Sequence, residues 1–334
     1  MNREGTMSSL QESSILITGG TGSFGKAFLE RVLATHNPSR VVIFSRDELK
    51  QYEMRQARGE DERVRYFLGD IRDKERLMMA MRGVDYVVHA AALKQVDTAE
   101  YNPMEYVKTN ILGSENVIQA SLDSGVKKVI ALSTDKASSP VNLYGATKLA
   151  ADKLFISSNH YAVAGGTRFS VVRYGNVMGS RGSVIPLFRD LAQRGMNLPI
   201  TDPRMTRFWI TLPDAVDFVM NSIDDMTGGE LYVPRIPSMR VTDLAQAIAP
   251  DSELVEVGIR PGEKLHEEMI SVEDSRRTLR RADCYIVLPT YAIWGGFKDP
   301  AGEQVEEGFS YTSDNNDQWL SRAELSTMLT QLGL

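Results

Sequence analysis

Short apolar runs recur along the first half of the chain, each closed by glycine or by small polar residues. They fall at 14–18 (SILIT), 40–44 (RVVIF), 64–68 (VRYFL), 84–89 (VDYVVH), 127–132 (KKVIAL) and 168–174 (RFSVVRY). Runs of this length, rich in Val and Ile, predict buried strands. Helical stretches separate them, at 26–34, at 103–124 and from Tyr144 onward through an Ala- and Leu-rich run. Strand and helix alternating over 14–174 predict an α/β fold built on a doubly wound parallel sheet. The alternation loosens after Tyr174. A helix at 215–223 and a short strand at 231–233 are expected to return to the first sheet. The division expected is therefore a sheet domain over 10–177, rejoined by 207–235, and a smaller mixed α/β lobe from 178–206 and 236–334. Residues 1–9 read as a loose polar tail.

Composition narrows the class. The chain has 334 residues, 42% of them hydrophobic and 25% charged, which is ordinary for a globular protein. A net charge of −6 argues against a general nucleic-acid binder. Cys284 is the sole cysteine, so no internal disulfide forms, and a reducing, cytoplasmic setting is expected. No apolar run approaches the roughly 20 residues that span a bilayer, and residues 1–14 lack the apolar core of a signal peptide. Neither a membrane nor a metal is expected as a partner.

The first strand runs straight into Gly19-Gly20-Thr21-Gly22-Ser23-Phe24-Gly25. Glycines at 19, 22 and 25 between a strand and a helix suit a tight turn, close approach of backbone to a pyrophosphate, and close packing of helix on strand. A dinucleotide is the expected ligand. The second strand ends at Ser45-Arg46-Asp47, near the position that reads the ribose. Ser45 and Arg46 suit a 2′-phosphate, so NADP is expected; Asp47 is either a ribose ligand or a helix cap. Asp70, before Ile71, is either an adenine contact or a cap. Ala90 and Ala91 are small enough to admit a flat cofactor, and Lys94 follows in a loop. Asn110, within the 103–124 helix, and Val177 complete the expected cofactor wall. His89 reads as a packed strand residue.

After the fifth strand come Thr134-Asp135-Lys136, then Tyr144 and Lys148 four residues apart. That spacing places both on one helical face. A cation beside a phenol favours the phenolate, so Tyr144 is a candidate base. Beyond Tyr174, Arg181, Arg204, Arg207 and Arg260 fall in loop-like segments and are candidate ligands for a diphosphate. Arg276, Arg277, Arg280 and Arg281 read as one charged surface helix.

Taken together, TGGTGSFG (18–25), FSRDELKQ (44–51), GDIRD (69–73), HAAALKQV (89–96), STDKA (133–137), YGATK (144–148), RYGNVMGSRGSVIP (173–186) and RPGEKLHEEM (260–269) carry a resemblance over nearly the whole chain. The chain resembles the extended short-chain dehydrogenase/reductases, which have a Rossmann fold, and within them the inverting UDP-N-acetylglucosamine 4,6-dehydratases of pseudaminic acid and related pathways. Retaining dehydratases carry Asp-Glu where this chain has Asp135-Lys136, and simple 4-epimerases carry no such acid–base pair.

The resemblance implies oxidation of C4 with Tyr144 as base, supported by Lys148 and Thr134. It then implies removal of the C5 proton by Lys136, with Asp135 as acid for the 6-hydroxyl, and inversion at C5. It also implies that Asn176, Arg181 and Arg260 contact the substrate, that Glu263 contacts the nucleoside, and that Lys94 lies near both ligands. A homo-oligomer, often a hexamer, is implied as well. Lys136 must be neutral to act as a base, and nearby positive charge from Lys148 and the oxidised nicotinamide is expected to lower its pKa. The competing readings are a 4-epimerase or retaining dehydratase on the same scaffold, and a non-catalytic NADP-sensing regulator.

Overall fold

The computed structural model describes residues 8–163, 165–179, 184–292, 294–295 and 297–333. Strands β1 (Ser14–Thr18), β2 (Arg40–Ser45), β3 (Val64–Leu68), β4 (Tyr86–His89), β5 (Lys128–Thr134) and β6 (Arg168–Tyr174) lie parallel in the order β3-β2-β1-β4-β5-β6. Five consecutive residues of β1 are buried, as a strand covered on both faces requires. Strand order reverses between β1 and β4, and the carboxyl ends of strands flanking such a switch open onto a crevice. Leu231–Pro234 adds a seventh parallel strand beside β6, and the helix Leu212–Asp225 leads into it.

The sheet continues further than the sequence reading expected. Cys284–Val287 pairs antiparallel with Leu231–Pro234, and Thr278–Arg280 and Glu303–Gln304 follow it. Among the described residues the sheet thus has ten strands, and part of 236–334 extends it rather than building the smaller lobe. The four arginines expected on one helix are divided accordingly. Arg276 and Arg277 close a 3-10 turn, Arg280 ends a strand, and Arg281 pairs with Asp225 at 2.8 Å. Among the described residues the rest of the lobe combines the helices Val184–Gln193, Val241–Ile248 and Arg322–Gln331 with three small sheets, one of them joining Asn176–Val177, Thr206–Ile210 and Ser238–Arg240.

The 103–124 helix is interrupted. Pro103–Tyr106 and Gly113–Asp123 are α-helical, but Val107–Leu112 between them is a π-helix. The wider turn buries Asn110, whose amide both donates to and accepts from the backbone of Leu93, at 2.9 Å each way. The same amide donates to Thr147 Oγ1 at 3.1 Å. Asn110 therefore clamps the loop after β4 to the helix that carries Tyr144.

Candidate active site

A cavity of about 1190 Å³ runs along the carboxyl ends of the strands and is closed on its far side by the smaller lobe. Its cofactor-side wall is the glycine turn. Helix α1 (Ser23–Thr35) starts after Gly22 with no side chain capping it, which leaves its first N–H groups available to an anion. Gly19 has φ +65°, and a Cβ there would fall 2.9 Å from the backbone of Ala91. A Cβ on Gly25 would fall 2.5 Å from the backbone of Gly20. The turn is thus too close to its neighbours for side chains at these two positions, and this bare backbone with free N–H groups fits a dinucleotide pyrophosphate.

Thr21, Ser23, Phe24, Ser45, Arg46, Asp47, Asp70, Ile71, Ala90, Ala91, Lys94 and Val177 also line the cavity. Asp47 is the N-cap of helix α2 (Glu48–Arg58), accepting from Lys50 N at 3.0 Å, and it also pairs with the Lys50 ammonium. Arg46, half-exposed at the rim, lies 3.6 Å from Asp70. Asp70 does not cap a helix. It is held by Arg72 at 2.8 Å, while Asp73 caps helix α3 (Lys74–Ala80). Asn110 is off the cavity wall and acts through the clamp described above. His89 is enclosed between Thr18 and Ser114, and burial pushes its pKa down to about 3, so it is a neutral core residue.

The reacting end lies at the end of β5. Thr134 caps a 3-10 turn, Asp135–Ala137, with its hydroxyl accepting from Lys136 N and donating to Asp135 Oδ1 at 3.0 Å. The Tyr144 helix, Leu143–Ser157, is capped by Asn142, which accepts from Gly145 N at 2.7 Å and donates to Gly262 O at 2.8 Å. Tyr144 and Lys148 are both buried and line the cavity. Lys148 Nζ donates to Leu132 O at 2.8 Å; burial lowers its pKa, with Asp152 opposing. Burial pushes the Tyr144 phenol up to about 12, against the pull of Lys136 and a hydrogen bond with Thr134.

This helix fits against the Lys136 turn only because residue 145 is glycine. A Cβ there would fall 2.2 Å from the carbonyl oxygen of Lys136. Gly145→Ala must push the turn away. Overpacking of this kind costs about 1–3 kcal/mol, and the expected result is a lower thermal midpoint together with a displaced Lys136.

Lys136 is the centre of a charge cluster in which Glu267 was not singled out from sequence. Lys136 Nζ lies 3.1 Å from Asp135 Oδ1 and 3.1 Å from Glu267 Oε1, and Arg207 Nε stands 3.7 Å from the same Glu267 oxygen. Both carboxylates are at least 97% buried, and each has a second oxygen buried with no partner among the described residues. Burial opposes the charge on Lys136, but Asp135 and Glu267 outweigh it and hold its pKa well above that of an ordinary lysine. That reverses the expectation of a lysine neutralised by positive neighbours, because the groups nearest its ammonium are anions. Burial raises the Asp135 carboxyl, with Glu267 adding to the effect and Lys136 opposing it. For Glu267, burial is overcome by Lys136 and Arg207, and its pKa falls.

Among the expected substrate ligands, Asn176, Arg207, Arg260 and Glu263 line the wall formed by the lobe, with Arg260 3.8 Å from Glu263. Arg204 does not line it; its guanidinium is spent on Asp202 at 2.7 Å and is otherwise exposed. Arg181 lies outside the described residues.

A glycine turn at the switch point of a doubly wound sheet, with a Tyr-x-x-x-Lys helix beside it, defines an extended short-chain dehydrogenase/reductase. The family model described as "Polysaccharide biosynthesis protein" matches residues 15–289, and the chain belongs to that family. It is 56% identical to a Campylobacter jejuni protein named UDP-N-acetylglucosamine 4,6-dehydratase (inverting), over 93% of this chain and 96% of that one. It is 44% identical to a Rickettsia akari protein named UDP-glucose 4-epimerase, over 79% of each. Among solved structures, Pen from Bacillus thuringiensis superposes with a TM-score of 0.89 at 35% identity, covering 97% of this chain and 99% of that one. The dTDP-glucose 4,6-dehydratase DesIV from Streptomyces venezuelae, with NAD and TYD bound, superposes with a TM-score of 0.67 at 26% identity, covering 75% and 86%.

Proposed function

We propose that this protein is an inverting UDP-N-acetylglucosamine 4,6-dehydratase that uses NADP and feeds a pseudaminic acid or related glycan pathway. The observation that carries the reading is the buried Asp135–Lys136–Glu267 cluster beside Tyr144 and Lys148, since oxidation of a carbinol needs only the tyrosine and lysine. The name of the Campylobacter relative supports the same reaction.

In this reading the glycine turn and Ser45, Arg46 and Asp70 hold the dinucleotide, with Arg46 and Lys50 at the rim favouring a 2′-phosphate. Arg207 and Arg260 meet the diphosphate and Asn176 the sugar, while Glu263 meets the nucleoside. The cofactor half is 10–174 with 212–234, and the lobe, to which Asn176 and Thr206–Ile210 belong through their small sheet, covers the sugar nucleotide. NADP held there would supply the oxidant for C4 and, once reduced, the reductant for C6. Tyr144, with Lys148 and Thr134 beside it, takes the C4 hydroxyl proton. The 4-keto group then acidifies the C5 proton.

Lys136 rests as an ammonium. Passing one proton to Asp135 along their hydrogen bond leaves an amine base and a carboxylic acid side by side. The amine removes the C5 proton, and the acid protonates the departing 6-hydroxyl. C5 is then reprotonated from the face opposite the one Lys136 cleared, which inverts the centre. The assembly we expect is a homo-oligomer, a hexamer by resemblance, which light scattering measures.

A UDP-hexose 4-epimerase is the second reading, favoured by the name of the Rickettsia relative. It leaves the Asp135–Lys136 pair with no task. One experiment separates the two: incubation with UDP-N-acetylglucosamine in deuterated water, followed by NMR of the product. The expected product has lost the 6-hydroxyl, carries deuterium at C5 and is inverted there. A 4-epimer, or a keto sugar that keeps its 6-hydroxyl, overturns the dehydratase reading. Binding of NADP with no turnover of any UDP-hexose points instead to a regulator.

A further inference from the structure

Glu267 stands where no step above requires a group. It immediately precedes the strand Glu268–Ile270, and its backbone is fixed through Ser313, which accepts from Glu267 N at 2.9 Å and donates its own N–H to Glu267 O at 2.8 Å. The neighbouring Glu268 carboxylate accepts from Ser138 and Ser139 at 2.8 and 2.7 Å, and Lys264 Nζ donates to Ser138 O at 2.6 Å. These contacts bind the Glu267 segment to the turn that carries Lys136. The Glu267 side chain is almost fully buried, yet it lines the cavity with one oxygen on Lys136 and the other without a partner among the described residues. A buried anion left half-satisfied is costly unless a nearby charge change uses it.

We propose that Glu267 is a positioning residue of the C5 proton transfer, a fixed anion that holds Lys136 against Asp135 and makes the pair a stronger base. The proposal rests on the dehydratase reading. Lys136 gives one proton to the Asp135 carboxylate. Its nitrogen lone pair then takes the proton from C5, and the C5–H electron pair moves onto the 4-carbonyl oxygen. As the enolate collapses, C5 and C6 become doubly bonded and the C6–O bond breaks, with the Asp135 proton leaving on that oxygen as water. Positive charge returns to Lys136 in the first of these transfers to involve the sugar, and Glu267 lies in contact with it. Arg207, on the other side, keeps Glu267 ionised throughout.

The charged and titratable groups that bear on Lys136 and its two carboxylates are Asp135, Glu267, Arg207, Lys264 and Tyr144. Removing the negative charge of Glu267 makes the Asp135–Lys136 pair less ready to hold a proton. The acid limb of C5 exchange, where the pair takes up the extra proton that silences it, must then move to lower pH. A side chain that only packs would lower rates without moving the limb.

The experiment is Glu267→Gln, with solvent-deuterium entry at C5 followed across pH, and C4 oxidation followed separately by quenching with borodeuteride to mark each 4-keto sugar. Expected are C4 oxidation within about threefold of the parent, C5 exchange at least about thirtyfold slower at neutral pH, and an acid limb at least about one pH unit lower. Glu267→Asp keeps the charge but draws it back, and its limb is expected between those of the parent and Glu267→Gln. It is read alone if Glu267→Gln does not fold. An unmoved limb, or equal loss of C4 oxidation and C5 exchange, overturns the proposal. Parent protein that yields a keto sugar with its 6-hydroxyl intact fails the dehydratase reading instead, whatever the variants do.

Discussion

Lys136→Ala is expected to abolish dehydration and C5 exchange, by about three orders of magnitude, while oxidation at C4 survives. General acid–base groups contribute about 10²–10⁴ to the step they serve. Lys136 is the cavity-lining amine between Asp135 and Glu267, whereas C4 oxidation depends on Tyr144 and Lys148 on the adjacent helix. Deuterium entry at C5 and borodeuteride trapping of the 4-keto sugar measure the two steps independently. Wash-in at the parent rate would remove Lys136 as the essential base.

The same substitution has a consequence for stability. Asp135 and Glu267 would face each other in a buried space with no cation between them. Removing one partner of a buried ion pair costs about 3–5 kcal/mol. Two like charges raise each other's pKa in the folded variant, so the penalty is largest at neutral pH and shrinks as pH falls and one carboxylate takes a proton. Melting curves at neutral and mildly acidic pH should therefore lie closer to the parent at the acidic value. A uniform deficit across pH would contradict the arrangement of charges.

Tyr144→Phe is the second large effect. It is expected to lower C4 oxidation by about 10²–10⁴, and every later step falls with it because C5 is acidified only by the 4-keto group. Burial holds the Tyr144 phenol up at about 12, so near neutral pH only a small fraction is phenolate. Below that pKa the phenolate fraction grows about tenfold per pH unit, and C4 oxidation in the parent is expected to rise with pH. Bound positive charge draws the limb down but does not reverse its sign. Tyr144→Phe should erase the rise along with the rate. A variant that retains both would move the base elsewhere, with Lys148 the next group on that helical face.

The sequence by itself determined the parallel part of the sheet, the glycine turn and the placing of Asp135 and Lys136 beside Tyr144, because each depends on local order. The alternation of apolar strands with helices is written in consecutive residues, and so are Gly19, Gly22 and Gly25 between β1 and α1. Asp135-Lys136 and Tyr144-x-x-x-Lys148 sit within one short stretch, so their proximity needs no tertiary information. Asp47 illustrates the boundary: its place after β2 suited either a ribose ligand or a helix cap, and the backbone of α2 made it a cap while leaving it on the cavity wall.

Tertiary structure alone decided the charge around Lys136. Glu267 lies far along the chain, and its contact with Lys136 is made by a strand whose position depends on Ser138, Ser139 and Ser313. Nothing in the spacing of RPGEKLHEEM tells which of its three glutamates reaches Lys136. The protonation of Lys136 followed the same logic: Lys148 and the oxidised nicotinamide were expected to lower it, whereas folding brings a second buried carboxylate to 3.1 Å. Arg204 and Asn110 were also settled by folding. Asp202 claims the arginine, and a π-turn directs the asparagine into the scaffold instead of the cavity. A side chain's partner is fixed by which segments converge in space, and that information is distributed over the whole chain.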